Sequence, residues 1–153
     1  MESETGASTT DFTRSILQVE LREEEFLRSI PPMRIDLEDF EETVQEVKAR
    51  VEVPQVAVDE TLQRINNWMV VAQVDINQLE TNARAHITCI KRMRDIQGDD
   101  DNMIGFIMNQ LETLTEQRKS IVSAIENACV QMKTELETLK TLIDSESEEQ
   151  ESA

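Results

Sequence analysis

The sequence predicts an all-α protein built around a long antiparallel helical hairpin. It carries one or two shorter helices at its N-terminal end and an acidic disordered tail. Three observations predict this. Aromatic residues are only 3% of 153 residues, with four Phe, one Trp and no Tyr, too few to fill a large globular core. Gly and Pro number three each, so turns are rare. Charged residues reach 31%, and apolar positions recur at 3–4 spacing, the profile of long helices and coiled coils.

Residues 1–9 are small, polar and acidic, and they predict disorder. Residues 10–53 form the N-terminal helical region. A first helix is expected from Asp11 to Ser29, capped by Thr9 or Thr10. Its apolar positions are Phe12, Ile16, Val19, Phe26, Leu27 and Ile30. Pro31-Pro32 is expected to end it, because proline lacks an N–H and disfavours helix at the residue before it. Asp36 then caps a second helix, whose stripe is Leu37, Phe40, Val44, Val47 and Val51. Pro54 interrupts that stripe, which also changes phase there.

Residues 54–143 carry the hairpin. Val58, Leu62, Ile65, Met69, Ala72, Ile76, Leu79, Ala83, His86, Ile90 and Met93 repeat at 4–3 spacing, a heptad seam. The turn is expected at 97–101. Gly98 suits the left-handed residue that closes a helix. Asp99, Asp100 and Asp101 suit the positive end of the next one. The returning helix carries Ile104, Ile107, Leu111, Leu114, Arg118, Ile121, Ile125, Ala128, Met132, Glu135, Leu139 and Leu142 in the same rhythm. Residues 144–153, D-S-E-S-E-E-Q-E-S-A, offer nothing to bury and are expected to stay disordered.

Folding the two long helices together sets facing residues at indices summing to about 197 in a heptad-paired seam. Met93 faces Ile104, Ile90 faces Ile107, and Ala72 faces Ile125. Two layers break the apolar rule: Leu79 faces Arg118, and Leu62 faces Glu135. Long polar side chains can lay their stems along a seam and send their heads to water. Alternatively they meet opposite charges on a partner's helices and help choose that partner. A thin two-helix seam also leaves Trp68, Val70, Val71 and Val74 at its flank. Either residues 11–51 fold back over that flank or other chains dock there. Trp68 and Val71 are the expected anchors, Trp being the residue most enriched at binding hot spots. Packing of Trp68 against the N-terminal helices is the competing expectation.

The net charge of −17 argues against nucleic acid and anionic membrane as partners. Acids concentrate at the ends: residues 1–50 hold 13 acids and 6 bases, and residues 97–153 hold 13 and 4. The middle is nearly neutral, with a small basic group at Arg84, Lys91, Arg92 and Arg94. That group could touch an acidic partner or phosphate, though a solvated face with local pairing is the simpler reading. Ser145 in the acidic tail suits an acid-directed kinase.

The chemistry of an enzyme is not legible. His86 is the single histidine, so no histidine relay or two-histidine metal site can form. It is expected as a seam residue satisfied by its neighbours. Cys89 and Cys129 are too few for a disulfide framework. The three glycines at 6, 98 and 105 form no phosphate loop. No cofactor and no small-molecule substrate is expected. No stretch approaches the roughly 20 apolar residues of a membrane span, and the N-terminus lacks the apolar core of a signal peptide. A cytoplasmic or nuclear setting follows.

In size, charge and absence of chemistry the chain resembles the small helical subunits of elongated assemblies, such as kinetochore, spindle and vesicle or lysosome tethering complexes. No single motif carries the resemblance. It implies a non-catalytic coiled-coil subunit whose partners are other helical chains. A self-contained helical-bundle adaptor for short motifs is the alternative.

Overall fold

A computed structural model describes the backbone of residues 2–96 and 101–152, and the side chains of residues 14–96 and 102–146. The described chain is all-α, with helices α1 (Glu2–Arg28), α2 (Ile30–Lys48), α3 (Val56–Ile96) and α4 (Asp101–Ser152). Two compact units share these helices. Unit 1 takes residues 1–31 and 78–121; unit 2 takes residues 32–77 and 122–153. Each unit therefore holds one N-terminal helix, one stretch of α3 and one stretch of α4.

In unit 1, α3 and α4 run antiparallel. Cys89, Ile90 and Met93 of α3 cluster with Ile107 of α4, and Ile104, Leu111 and Leu114 pack around them. Ile16 of α1 completes this cluster at 7% exposure. In unit 2, Val58 and Ile65 of α3 meet Leu136, Leu139 and Ile143 of α4, and Val44 and Val47 of α2 close the third side. A second cluster sets Ala72 against Ala128 and Met132, with Leu37, Phe40, Trp68, Met69 and Cys129 around it. Small residues in a seam let helix backbones approach closely, and larger neighbours fill the space beside them. The third helix matters energetically, because a two-helix seam buries little apolar surface per residue.

Several boundaries differ from the sequence expectation. Pro31 and Pro32 do not separate two helices. They occupy the first turn of α2, where a missing N–H costs nothing because that N–H has no intrahelical acceptor. Helix α2 thus begins six residues before Asp36. The single residue between α1 and α2, Ser29, bonds Phe26 O through both its N (3.0 Å) and its Oγ (2.5 Å). Pro54 does fall between helices, in the segment joining α2 to α3.

Both ends are more helical than the composition suggested. Helix α1 begins at Glu2, where residues 1–9 were expected to be disordered; early acids favour a helix N-terminus. Helix α4 continues through Ser152, where disorder was expected from residue 144. Two contacts that a count of apolar residues cannot foresee hold its last turns in unit 2. Glu146 is 7% exposed and accepts the Val53 N–H at 3.1 Å, and Arg50 pairs with Asp144 at 3.1 Å. The expected turn residues Gly98, Asp99 and Asp100 lie outside the described residues, and Asp101 opens α4.

Candidate functional site

Unit 1 holds a buried polar layer centred on Arg118. Its seam position keeps the side chain at 17% exposure, so the guanidinium must find partners or lose several kcal/mol of hydration. It finds them on two other helices. Nη1 and Nη2 donate to the two carboxylate oxygens of Glu23 on α1, at 3.0 and 2.6 Å. Nε donates to Asn82 Oδ1 on α3 at 2.9 Å. The guanidinium also lies 4.1 Å from the ring centroid of Phe26, a cation–π contact.

Asn82 is 3% exposed and fully used. Its amide donates to Leu114 O (2.9 Å) and to Gln117 Oε1 (3.2 Å). His86 is 5% exposed. Its Nδ1 lies 3.1 Å from Arg118 Nη2 and 3.0 Å from Asn82 O, and its Nε2 lies 3.5 Å from Thr115 Oγ1. The Thr115 hydroxyl donates to Leu111 O at 2.8 Å, and the two ring nitrogens of His86 donate or accept at their contacts according to the tautomer. The expected role of His86, a seam residue satisfied by neighbours, is what its contacts describe.

The opposite charge for Arg118 is therefore Glu23 of the same chain. Glu135, the other polar seam residue, is 17% exposed in unit 2 and accepts from Arg64 Nε on α3 at 3.1 Å. Neither residue needs another molecule to neutralise it. The residues missed by sequence reasoning are Glu20, Glu23 and Asn82. Glu20 and Glu23 stand at 4–3–4 spacing between Ile16 and Leu27, on the apolar stripe of α1, and Asn82 stands beside the seam residue Ala83; an acid on an apolar stripe was the signal.

The basic group divides. Arg94 pairs with Glu20 of α1 at 2.7 Å, with Glu20 nearly buried. Arg84 pairs with Glu80 one turn away at 3.2 Å. Lys91 and Arg92 are exposed. Among the described residues one of the four charges thus pairs locally and one pairs across helices. Ser145 is exposed on the last turns of α4.

Trp68 is half-buried in unit 2 and packs on the Ala72, Ala128 and Met132 cluster. Val71 is 40% exposed, flanked by Val70 at 56% and Val74 at 48%. Beside the same cluster, α2, α3 and α4 leave a cavity of about 410 Å³ lined by Leu37, Phe40, Ala72, Ile125, Cys129 and Met132, among others, with Asp36 and Lys133 at its polar edge.

Among the described residues no three His, Cys, Asp or Glu side chains gather as a metal site requires. No described helix is long and apolar enough to cross a membrane. No family model matches the chain, and no curated protein or solved structure is significantly similar to it.

Proposed function

We propose that the chain is a non-catalytic helical subunit of a multi-protein scaffold, with a cytoskeletal, spindle or kinetochore assembly as its setting. In this reading α3 and α4 serve as an antiparallel coiled-coil hairpin, and other helical chains dock along α3. One observation carries it. In unit 2 the core is closed by α2, yet Val71 and Val74, one turn apart and next to Trp68 on α3, remain 40–48% exposed. Isolated exposed valines need no explanation, but a contiguous pair beside a tryptophan marks an interaction surface. A vesicle or lysosome tethering complex would use the same architecture.

A second reading, a self-contained bundle adaptor for short motifs, is favoured by a different observation: α1 and α2 pack on α3 and α4 of their own units through buried apolar and ionic contacts. The apolar cavity in unit 2 would then receive the motif.

Purification of the tagged full chain from its native cells, with and without Val71→Glu and Val74→Glu, tests the scaffold reading. Stoichiometric helical partners with the parent and none with a correctly folded variant are expected. A parent chain that purifies as a lone monomer contradicts it.

A further inference from the structure

Helix α1 docks in unit 1 with its polarity inverted. Glu20 is 7% exposed and Glu23 is nearly as covered, while Leu17 and Leu21 of the same helix are 44% and 56% exposed. An amphipathic helix that folds for its own stability does the reverse. Conflicts between local pattern and packing are expected at functional sites.

The groove that receives α1 is formed by α3 and α4. Ile90, Met93 and Ile107 give it an apolar floor, on which Ile16 of α1 rests. Two arginines stand beside that floor. Arg94 holds Glu20 at 2.7 Å, and Arg118 holds Glu23 at 3.0 and 2.6 Å. Glu20 and Glu23 follow Ile16 by four and seven positions, so one face of a helix presents all three. The groove therefore reads a pattern: an aliphatic residue, then two carboxylates one turn apart.

The forces that hold α1 there are easily exchanged. A buried ion pair returns little net stability, because both ions lose their water, and both regain it when the helix leaves. Helix α2, by contrast, docks in unit 2 through an apolar face, with Val44 and Val47 buried and Phe40 packed beside them. One residue, Ser29, separates α1 from α2. Pro31 and Pro32 follow at once and offer no N–H to the last carbonyls of α1.

We propose that α1 is a displaceable arm, and that the groove it fills is the binding site for an acidic amphipathic helix of another protein. That helix carries an aliphatic residue followed by carboxylates four and seven positions on, and it takes over Arg94 and Arg118 from Glu20 and Glu23. A second copy of this chain gains nothing by the exchange. Its α1 would make the same contacts, and its arrival would bring another net charge of −17. The tethered arm competes at an effective concentration on the order of millimolar. It lowers the partner's apparent affinity by the fraction of time the groove is closed. The inference concerns unit 1 and stands apart from the α3 face of unit 2.

The probe is a fluorescent peptide of residues 10–30 of this chain, offered to the full-length protein. Binding to the parent should be weak, because α1 already fills the groove. In Glu20→Lys/Glu23→Lys the arm is repelled by Arg94 and Arg118, and the probe should bind about ten-fold more tightly or better. Adding Arg94→Glu and Arg118→Glu restores pairing with reversed charges, and probe binding should be lost again. Hydrogen exchange on the parent supplies a second readout that needs no variant. Amides of residues 16–28 should open as a block ahead of those at Val44, Ile65 and Leu139. That opening should speed up as salt is raised from about 0.05 to about 0.5 M.

Exchange of α1 only together with α3 and α4 would overturn the proposal. So would unchanged probe binding in a double variant that keeps its helicity, or binding that survives reversal of the two arginines. A concentration-dependent dimer of the parent that the free peptide dissolves would assign the groove to a second copy and overturn it too. If the double variant loses its helicity, the exchange measurement on the parent decides alone.

Discussion

Arg118 of α4 grips Glu23 of α1 end-on, each guanidinium terminal nitrogen on its own carboxylate oxygen at 3.0 and 2.6 Å. Both side chains are less than one-fifth exposed. The pair links residues 95 positions apart. Asn82 of α3 accepts from Nε of the same guanidinium, and His86 Nδ1 of α3 lies 3.1 Å from its Nη2. Three helices are thereby fixed at one level of unit 1. A buried ionic pair is weak evidence for net stability, but a satisfied buried polar layer discriminates against slipped registers.

The asymmetry of that pair gives a measurable consequence. Glu23→Ala leaves Arg118 buried without its carboxylate and should cost about 3 kcal/mol. Replacing both residues by Leu removes both charges together and should recover most of that loss. Urea denaturation of the two variants checks it. A double variant no better than Glu23→Ala would show that the pair itself, and not the stranded charge, sets the cost.

Deleting residues 1–53 should abolish cooperative unfolding, because it removes Ile16, Val44 and Val47, which the two units bury at 5–7% exposure. Circular dichroism through a thermal ramp shows the outcome. A truncated chain with full helicity and a sharp transition would mean that α3 and α4 stand alone.

Leu139 is fully buried in unit 2, and Val130, nine residues earlier on α4, is 57% exposed. Leu139→Ala should cost about 3 kcal/mol, whereas Val130→Ala should stay within about 0.5 kcal/mol. Equal costs in chemical denaturation would contradict the orientation of α4.

The thiols should separate by exposure. Cys129 is half-buried at the cavity of unit 2, and Cys89 is 8% exposed in the core of unit 1. A thiol reagent should modify Cys129 quickly and Cys89 only as the chain opens. Mass spectrometry of peptides from a time course resolves the two sites, and the reverse order would place Cys89 wrongly.

What the sequence made legible was local. The 3–4 spacing from Val58 to Met93 marks α3 because helical periodicity involves neighbours only. What it hid was nonlocal or depended on context. Glu20 and Glu23 fall on the 4–3 stripe of Ile16, Leu27 and Ile30, but their partners Arg94 and Arg118 come from distant segments. Pro31-Pro32 reads as a stop when the helix before it is in view, yet it is compatible with the first turn of the helix that follows. The last turns of α4 looked unburiable because Glu146 is an acid, but a backbone N–H from Val53 gives that acid a buried partner. The neutral stretch around Trp68 and Val71 was visible in the sequence. That Asp75 within it holds a buried oxygen without a hydrogen-bond partner needed coordinates.

Hydrogen exchange on the free full chain and on its native assembly tests the central claim most directly. The account predicts that assembly slows exchange along residues 66–75 of α3, with little change at Val44 or Leu139, already closed by α2 and α4. Unchanged exchange at residues 66–75, with new protection confined to α1 or the α4 end, would contradict it.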